Sequence, residues 1–423
     1  MATTSQVQTG DTSNGTMGRD RLWSFTLFGA ILAAAGLPIY IYAPPFYAET
    51  YGVSLTGIAA VLFWLRLFDA VQDPALGWLS ERLGARRGIA VALGASVLAL
   101  SMVGLFAVTP PVAPLLWFAI TITGLFSAFS FLNINFYAQG VTKSTEIRGG
   151  HVRLGAWREG GALLGVCIAA VAPTALMGVV DAPFATFAFG FLAVVVIAAV
   201  AMAPEWRGRV DADATPMRDI LGDSTARRLL ILALVNATPL AVSSTMFLFY
   251  VESRLDSPGW EGPLLVAFFL AGAVTAPFWS RAAARFGAKP VLLFAMVSAI
   301  AAFGCTLFLG PGDAAIFAVI CLFSGATIGA DLVLLPALFS ARMAAISPNG
   351  GQGFGLWSLV SKATLAIAAI VLLPLLDASG FEAGSATQTP EAERLLTILY
   401  ALVPCALKLC AIAILLRTDL KEV

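Results

Sequence analysis

The chain has 423 residues, with 25 basic and 25 acidic side chains, so its formal net charge is zero. It is 59% hydrophobic and 12% charged, with a mean hydropathy of +0.87. That balance excludes a soluble fold and marks an integral membrane protein, with the lipid bilayer as its surroundings and no nucleic-acid partner expected.

Apolar segments of about 20 residues recur between short polar turns, whereas a β-barrel would show short alternating segments. An all-α bundle follows. Residues 1–20 are polar and rich in Ser, Thr and Gly, so they are expected to form a disordered cytoplasmic tail rather than a signal peptide. Twelve spans are predicted: 22–47, 55–80, 89–108, 113–139, 154–179, 183–203, 228–251, 262–283, 290–310, 313–340, 354–377 and 394–416. One set of loops carries Arg82, Arg86, Arg87, Lys143, Arg148, Arg281, Arg285, Lys289 and Arg342, and the other only Arg254 and Arg394. The positive-inside rule then places both termini in the cytoplasm, as for a multi-pass protein of a bacterial inner membrane.

The second span contains Arg66, Asp69 and Asp73, spaced i, i+3 and i+7 on one helix face. A charge near the bilayer centre costs roughly 2.5–3.5 kcal/mol on insertion scales, so this face is a candidate ion site. The alternative is an internal charge pair that only fixes helix packing. Glu81, Arg82, Arg86 and Arg87 follow in a turn with Gly77 and Gly84 and form a charged clasp, expected in water or between helix ends. This stretch matches the G-x-x-x-[DE]-R-x-G-x-[RK]-[RK] signature of major facilitator transporters.

Ser130, Asn133 and Tyr137 share a face of the fourth span, suiting either a cavity wall or interhelical hydrogen bonds. His151 is expected in a solvated basic loop, and Arg153 at the headgroups. Arg158 lies deeper in the fifth span, where it would grip an anionic or hydroxyl-rich ligand. Residues 204–227 mix Pro, Gly, Asp and Thr with both charges, as in a cytoplasmic linker between a 21–203 half and a 228–417 half, with 418–423 a short tail. Pro74, Arg82, Gly84, Ala85 and Arg86 recur 203 residues later as Pro277, Arg285, Gly287, Ala288 and Lys289. At that offset Asp69 and Asp73 become Gly272 and Ala276, so the turn is scaffold and the aspartates carry chemistry.

Asp331 sits in the tenth span, and Trp357, Ser358 and Lys362 in the eleventh are placed to reach one cavity. Lys408, nearer an end of the last span, is expected to snorkel to the interface. The five cysteines fall in apolar runs without disulfide or metal spacing.

These residues resemble the glycoside–pentoside–hexuronide:cation symporters of the major facilitator superfamily, of which the melibiose carrier is the familiar example. The resemblance runs from Tyr40–Tyr51 through R-x-x-D-x-x-x-D-P, Arg158 with Gly165, Gly329-Ala-Asp331-Leu and Gly355-Leu-Trp357 to Lys362. It implies a twelve-helix fold of two parallel halves and a coupling cation, H+ or Na+, at Asp69 and Asp73 with Ser130 and Asn133. It also implies a substrate site of Asn133, Tyr137, Arg158, Trp357, Ser358 and Lys362; apart from the resemblance, Arg66, the clasp and Asp331 are expected as charge pairs or gates. Melibiose-type carriers have an acid where Asn133 stands, and a Lys-Asp pair where Gly29 to Tyr42 is uncharged. The expected protein is a monomeric symporter of a small polar solute such as a sugar or glycoside, with no cofactor and no metal beyond Na+. The alternatives are a lysolipid or amphiphile transporter and, from another class, a receptor or enzyme. No nucleophile–base or metal constellation supports an enzyme.

Overall fold

The computed structural model describes residues 20–207, 214–381 and 388–420. The side chains of residues 37–40, Arg66, Ala70, Arg207 and Ala369 lie outside that description. In the N-terminal half the helices are α1 (Leu22–Ala34), α2 (Leu37–Tyr51), α3 (Leu55–Arg82), α4 (Arg87–Phe106), α5 (Pro114–Glu146), α6 (Gly150–Leu176) and α7 (Pro183–Met202). A short α8 (Met217–Gly222) precedes α9 (Ser224–Phe249), α10 (Glu261–Phe286), α11 (Ala288–Gly304), α12 (Ala314–Ile346), α13 (Gly351–Asp377), α14 (Pro390–Thr397) and α15 (Val403–Arg417). The result is a twelve-helix major facilitator fold in two six-helix halves.

The predicted first span is broken. Gly36 and the second-position Pro38 stop α1 and restart the chain as α2. The last span is likewise composite, since a π-turn at Ile398–Leu402 joins α14 to α15. Helix α3 bends by 44° between Asp69 and Val71. Pro74 is the cause, because it has no N–H for the Ala70 carbonyl and its ring crowds that turn. The bend therefore falls between the two aspartates.

One apolar core is built from residues of the first half, including Phe25, Phe28, Phe118 and Phe136. A core around Leu292, Val333 and Phe339 serves the second and takes in Val141 and Ala156 of the first, and another lies around Tyr250, Phe317 and Tyr400. The halves meet through α3 against α13 and α6 against α10, and small residues set both distances. A Cβ on Gly77 would lie 2.7 Å from the Gly351 carbonyl oxygen, and one on Gly355 3.0 Å from that of Asp73. Such backbone approach replaces the hydrophobic drive that lipid cannot supply.

Helices α5 and α6 run further than predicted, which corrects the reading of His151. It belongs to the first turn of α6, is half-buried, and meets Ser340 of α12 through Nδ1 at 2.8 Å. Left-handed Gly149 (φ 88°) ends the intervening loop after only three residues, 147–149. Arg153 reaches Asp20 at 2.8 Å. Within the second half, Asp223 caps α9 and takes a two-pronged bond from Arg342, at 3.0 and 2.6 Å. Those guanidinium bonds hold the Asp223 carboxyl below its usual range, so the pair is intact at neutral pH and weakens only as pH falls through that depressed value.

Candidate functional site

The bend in α3 turns both aspartates inward, where Asp69 is 2% exposed and Asp73 is fully buried. Lys362 of α13 comes from the opposite half and places Nζ 2.9 Å from the Asp73 carboxylate and 3.6 Å from Asp69 Oδ1. The same ammonium donates to Ser130 Oγ of α5 at 2.6 Å. Ser358, one turn before Lys362, donates to Asp73 Oδ2 at 2.6 Å, and Gln72 donates to Asp69 Oδ1. Lys362 therefore occupies the centre of an oxygen cage drawn from three helices.

Below the cage, toward the face that carries the termini, the predicted substrate residues Tyr137 and Arg158 pack on one another. Arg158 Nε lies 2.7 Å from Glu159 Oε1, and its guanidinium stacks 3.7 Å from the Tyr137 ring centre. Tyr137 donates to that same carboxylate oxygen at 2.7 Å and packs on Phe354 of α13. Arg158 is thus neutralised by its sequence neighbour and stacked on an aromatic face. Trp357 is half-buried against Phe339. Asn133 lies half-buried between Ser130 and Tyr137 and makes no side-chain hydrogen bond among the described residues.

The clasp divides. Glu81 accepts from the backbone N–H and side-chain amide of Gln352, at 2.8 and 3.0 Å, tying α3 to the first turn of α13. Buried Arg87 donates to Ser80 Oγ at 3.1 Å and to the Asn349 carbonyl at 3.5 Å. Arg82 instead stacks on Trp78 of its own helix, and Arg86 is exposed. The side chain of Arg66 lies outside the described residues. Two of the four clasp charges therefore bridge the halves, and all these bridges lie on the side of the cage nearer the termini.

On the other side of the cage a cavity of about 630 Å³ separates the halves. Tyr42, Val171 and Thr174 line it from the first half, and Phe247, Leu265 and Phe269 from the second. None of the predicted substrate residues is among its walls.

Lys408 corrects the expectation that it snorkels. It is 7% exposed and donates to Asp331 Oδ2 and, at 2.8 Å, to Asn236 Oδ1. Asp331 thus has its partner within its own half. Sequence reasoning missed Lys408 and Asn236, although a signal was present: one unpaired acid and one unpaired base in spans of the same half call for each other.

Two parallel helical halves meeting along a seam of buried charge, with a cavity on one side, define a membrane transporter of major facilitator architecture. A sequence-family profile described as MFS/sugar transport protein matches residues 22–422, and the chain belongs to that family. No curated protein matches the sequence. Among solved structures, a bacterial homologue of the iron transporter ferroportin in an outward-facing state aligns with a TM-score of 0.70 at 14% identity, covering 94% of this chain and 98% of that one. The same protein with soaked iron aligns at 0.67 and 13%, covering 93% and 98%. At that identity the likeness shows the shared fold alone.

Proposed function

We propose that the protein is a cation-coupled symporter, with the coupling H+ or Na+ bound at Asp69 and Asp73 and Lys362 standing in for it in the present state. The observation that carries this reading is a tethered ammonium 2.9 Å from Asp73 and 3.6 Å from Asp69, supplied by the opposite half. An arriving cation competes with Lys362 for the same oxygens. Once displaced, the lysine no longer ties α13 to α3, and the halves are free to rock about the cage. Cation and substrate are thereby coupled through one conformational equilibrium. Ser130 and Ser358 add neutral oxygen donors, with Asn133 one turn from Ser130. Assignment to the glycoside–pentoside–hexuronide:cation symporters rests on R-x-x-D-x-x-x-D-P in α3. With the termini in the cytoplasm of a bacterial inner membrane, the large cavity faces outward.

For the substrate, the family description favours a sugar or glycoside. One observation favours the second reading, an amphiphile: Phe, Leu, Val and Ala make up the largest share of the walls of the 630 Å³ cavity, and Arg158 and Tyr137, expected to bind hydroxyls, are both spent on Glu159. Uptake into vesicles under an imposed Na+ or pH gradient tests both readings, using a panel of glycosides and single-chain amphiphiles. Gradient-driven accumulation of one class is the expected result. Binding without flux, or chemical turnover of a panel member, would overturn symport.

A further inference from the structure

The scheme above leaves one buried charged cluster unused. Asn236 of α9, Asp331 of α12 and Lys408 of α15 meet inside the second half, each less than one-tenth exposed. Two ammonium protons of Lys408 go to Asn236 Oδ1 and Asp331 Oδ2, which leaves a third to give. The other carboxylate oxygen, Asp331 Oδ1, is buried without a hydrogen-bond partner among the described residues. An unfilled buried acceptor of this kind is destabilising, so an occupant that donates to it is favoured.

Space for one is present. All three side chains border a cavity of about 70 Å³, together with Ser243, Ser324 and Thr327. Those hydroxyls donate to carbonyls of their own helices and do not compete for Asp331. A recess of that size has room for a few waters or one small polar group. Leu240, Ser243, Phe268, Phe303 and Ser324 line both this cavity and the 630 Å³ one, so the polar recess adjoins the apolar chamber.

We propose that Asp331, Lys408 and Asn236 form a head-group subsite that receives a neutral hydroxyl from a substrate whose apolar body fills the larger cavity. The proposal rests on the amphiphile reading of that cavity. With a small turn of the Asp331 carboxylate toward the recess, a hydroxyl donates to Oδ1 and accepts from Lys408, meeting both free valences at once. A carboxylate would face Asp331 and an ammonium would face Lys408, each with like charge at contact distance, while the paired site as a whole is neutral and attracts neither.

The test uses the full chain in lipid nanodiscs and four probes with one eight-carbon tail: 1-octanol, octyl methyl ether, octylamine and nonanoate. Affinities are read from ligand-dependent thermal stabilisation. One recovered hydrogen bond predicts that 1-octanol binds about fivefold or more tighter than the other three. In Asp331→Leu/Lys408→Met, which removes both charges together, that preference falls below about twofold while the tail still binds. If that pair of substitutions does not fold, Asp331→Asn/Lys408→Gln is read in the same way. Equal binding of all four probes by the unaltered chain would mean that the recess holds only water, overturning the subsite but leaving the amphiphile reading intact. A hydroxyl preference that survives in the double variants would also overturn it. Failure of every probe to bind would sink the amphiphile reading, and the subsite with it.

Discussion

Two lysine–aspartate pairs are buried midway through this molecule, and they differ in what they join. Lys362 and Asp73 link α13 to α3 across the two halves, whereas Lys408 and Asp331 link α15 to α12 within one half. Rocking the halves must break the first pair and can leave the second untouched. The first also has alternative oxygen partners in Asp69, Ser130 and Ser358, which suits a bond made and remade in each cycle. Among the described residues the second has only Asn236 beside a small cavity, which suits a fixed feature of the second half. On the proposed reading, identical chemistry serves exchange in one place and a standing site in the other, according to whether the backbone around it moves.

Breaking each pair should separate these roles. The largest effect is expected from Asp73→Asn, which should abolish gradient-driven uptake while expression and thermal stability stay near those of the unaltered chain. Its counterpart Asp331→Asn should leave a lysine with a poorer partner and lower unfolding stability, by up to about 3–5 kcal/mol, in a thermal or denaturant assay. Equal destabilisation by both variants would erase the distinction.

Next in size is Gly77→Val, whose Cβ alone would sit 2.7 Å from the Gly351 carbonyl. It should hold the terminus-bearing side open, seen as faster labelling of a cysteine introduced at Gln352. Unchanged labelling would show that the seam does not need this close approach.

The smallest contrast lies within the clasp. Arg87→Ala removes a buried guanidinium from Ser80 and Asn349 and should slow transport by roughly 5- to 10-fold, as expected for lost bonds to a charged group. Arg86→Ala, at an exposed position, should change the rate by less than about twofold. Equal rates in the two variants would remove the case for a clasp that acts between halves.

Much of the first pair was legible in the sequence because intramembrane charge is expensive: Asp69, Asp73 and Lys362 each stand in a long apolar run. The second pair was half legible. Asp331 stood out, but Lys408 lay close enough to the end of its predicted span to pass for a snorkelling residue, and only packing shows it turned inward. Arg158 was misleading for a different reason. Adjacent residues on a helix do not ordinarily face each other, so its pairing with Glu159 was invisible to spacing rules and appears only once Tyr137 supplies the surface both lean on. His151 turned on the helix boundary, where a glycine at positive φ shortened the loop and drew the ring against α12.

The central claim, that Lys362 is a tethered competitor for a coupling cation, needs no knowledge of the substrate to be tested. The measurement is the thermal stability of the purified chain, titrated with Na+ against choline at constant ionic strength and repeated across pH, for the unaltered protein, Lys362→Ala and Asp73→Asn. A saturable, ion-specific stabilisation is predicted for the unaltered protein, a midpoint shifted about tenfold or more toward tighter binding in Lys362→Ala, and no response in Asp73→Asn. A response unchanged in both variants, or a Lys362→Ala midpoint that moves toward weaker binding, would contradict it.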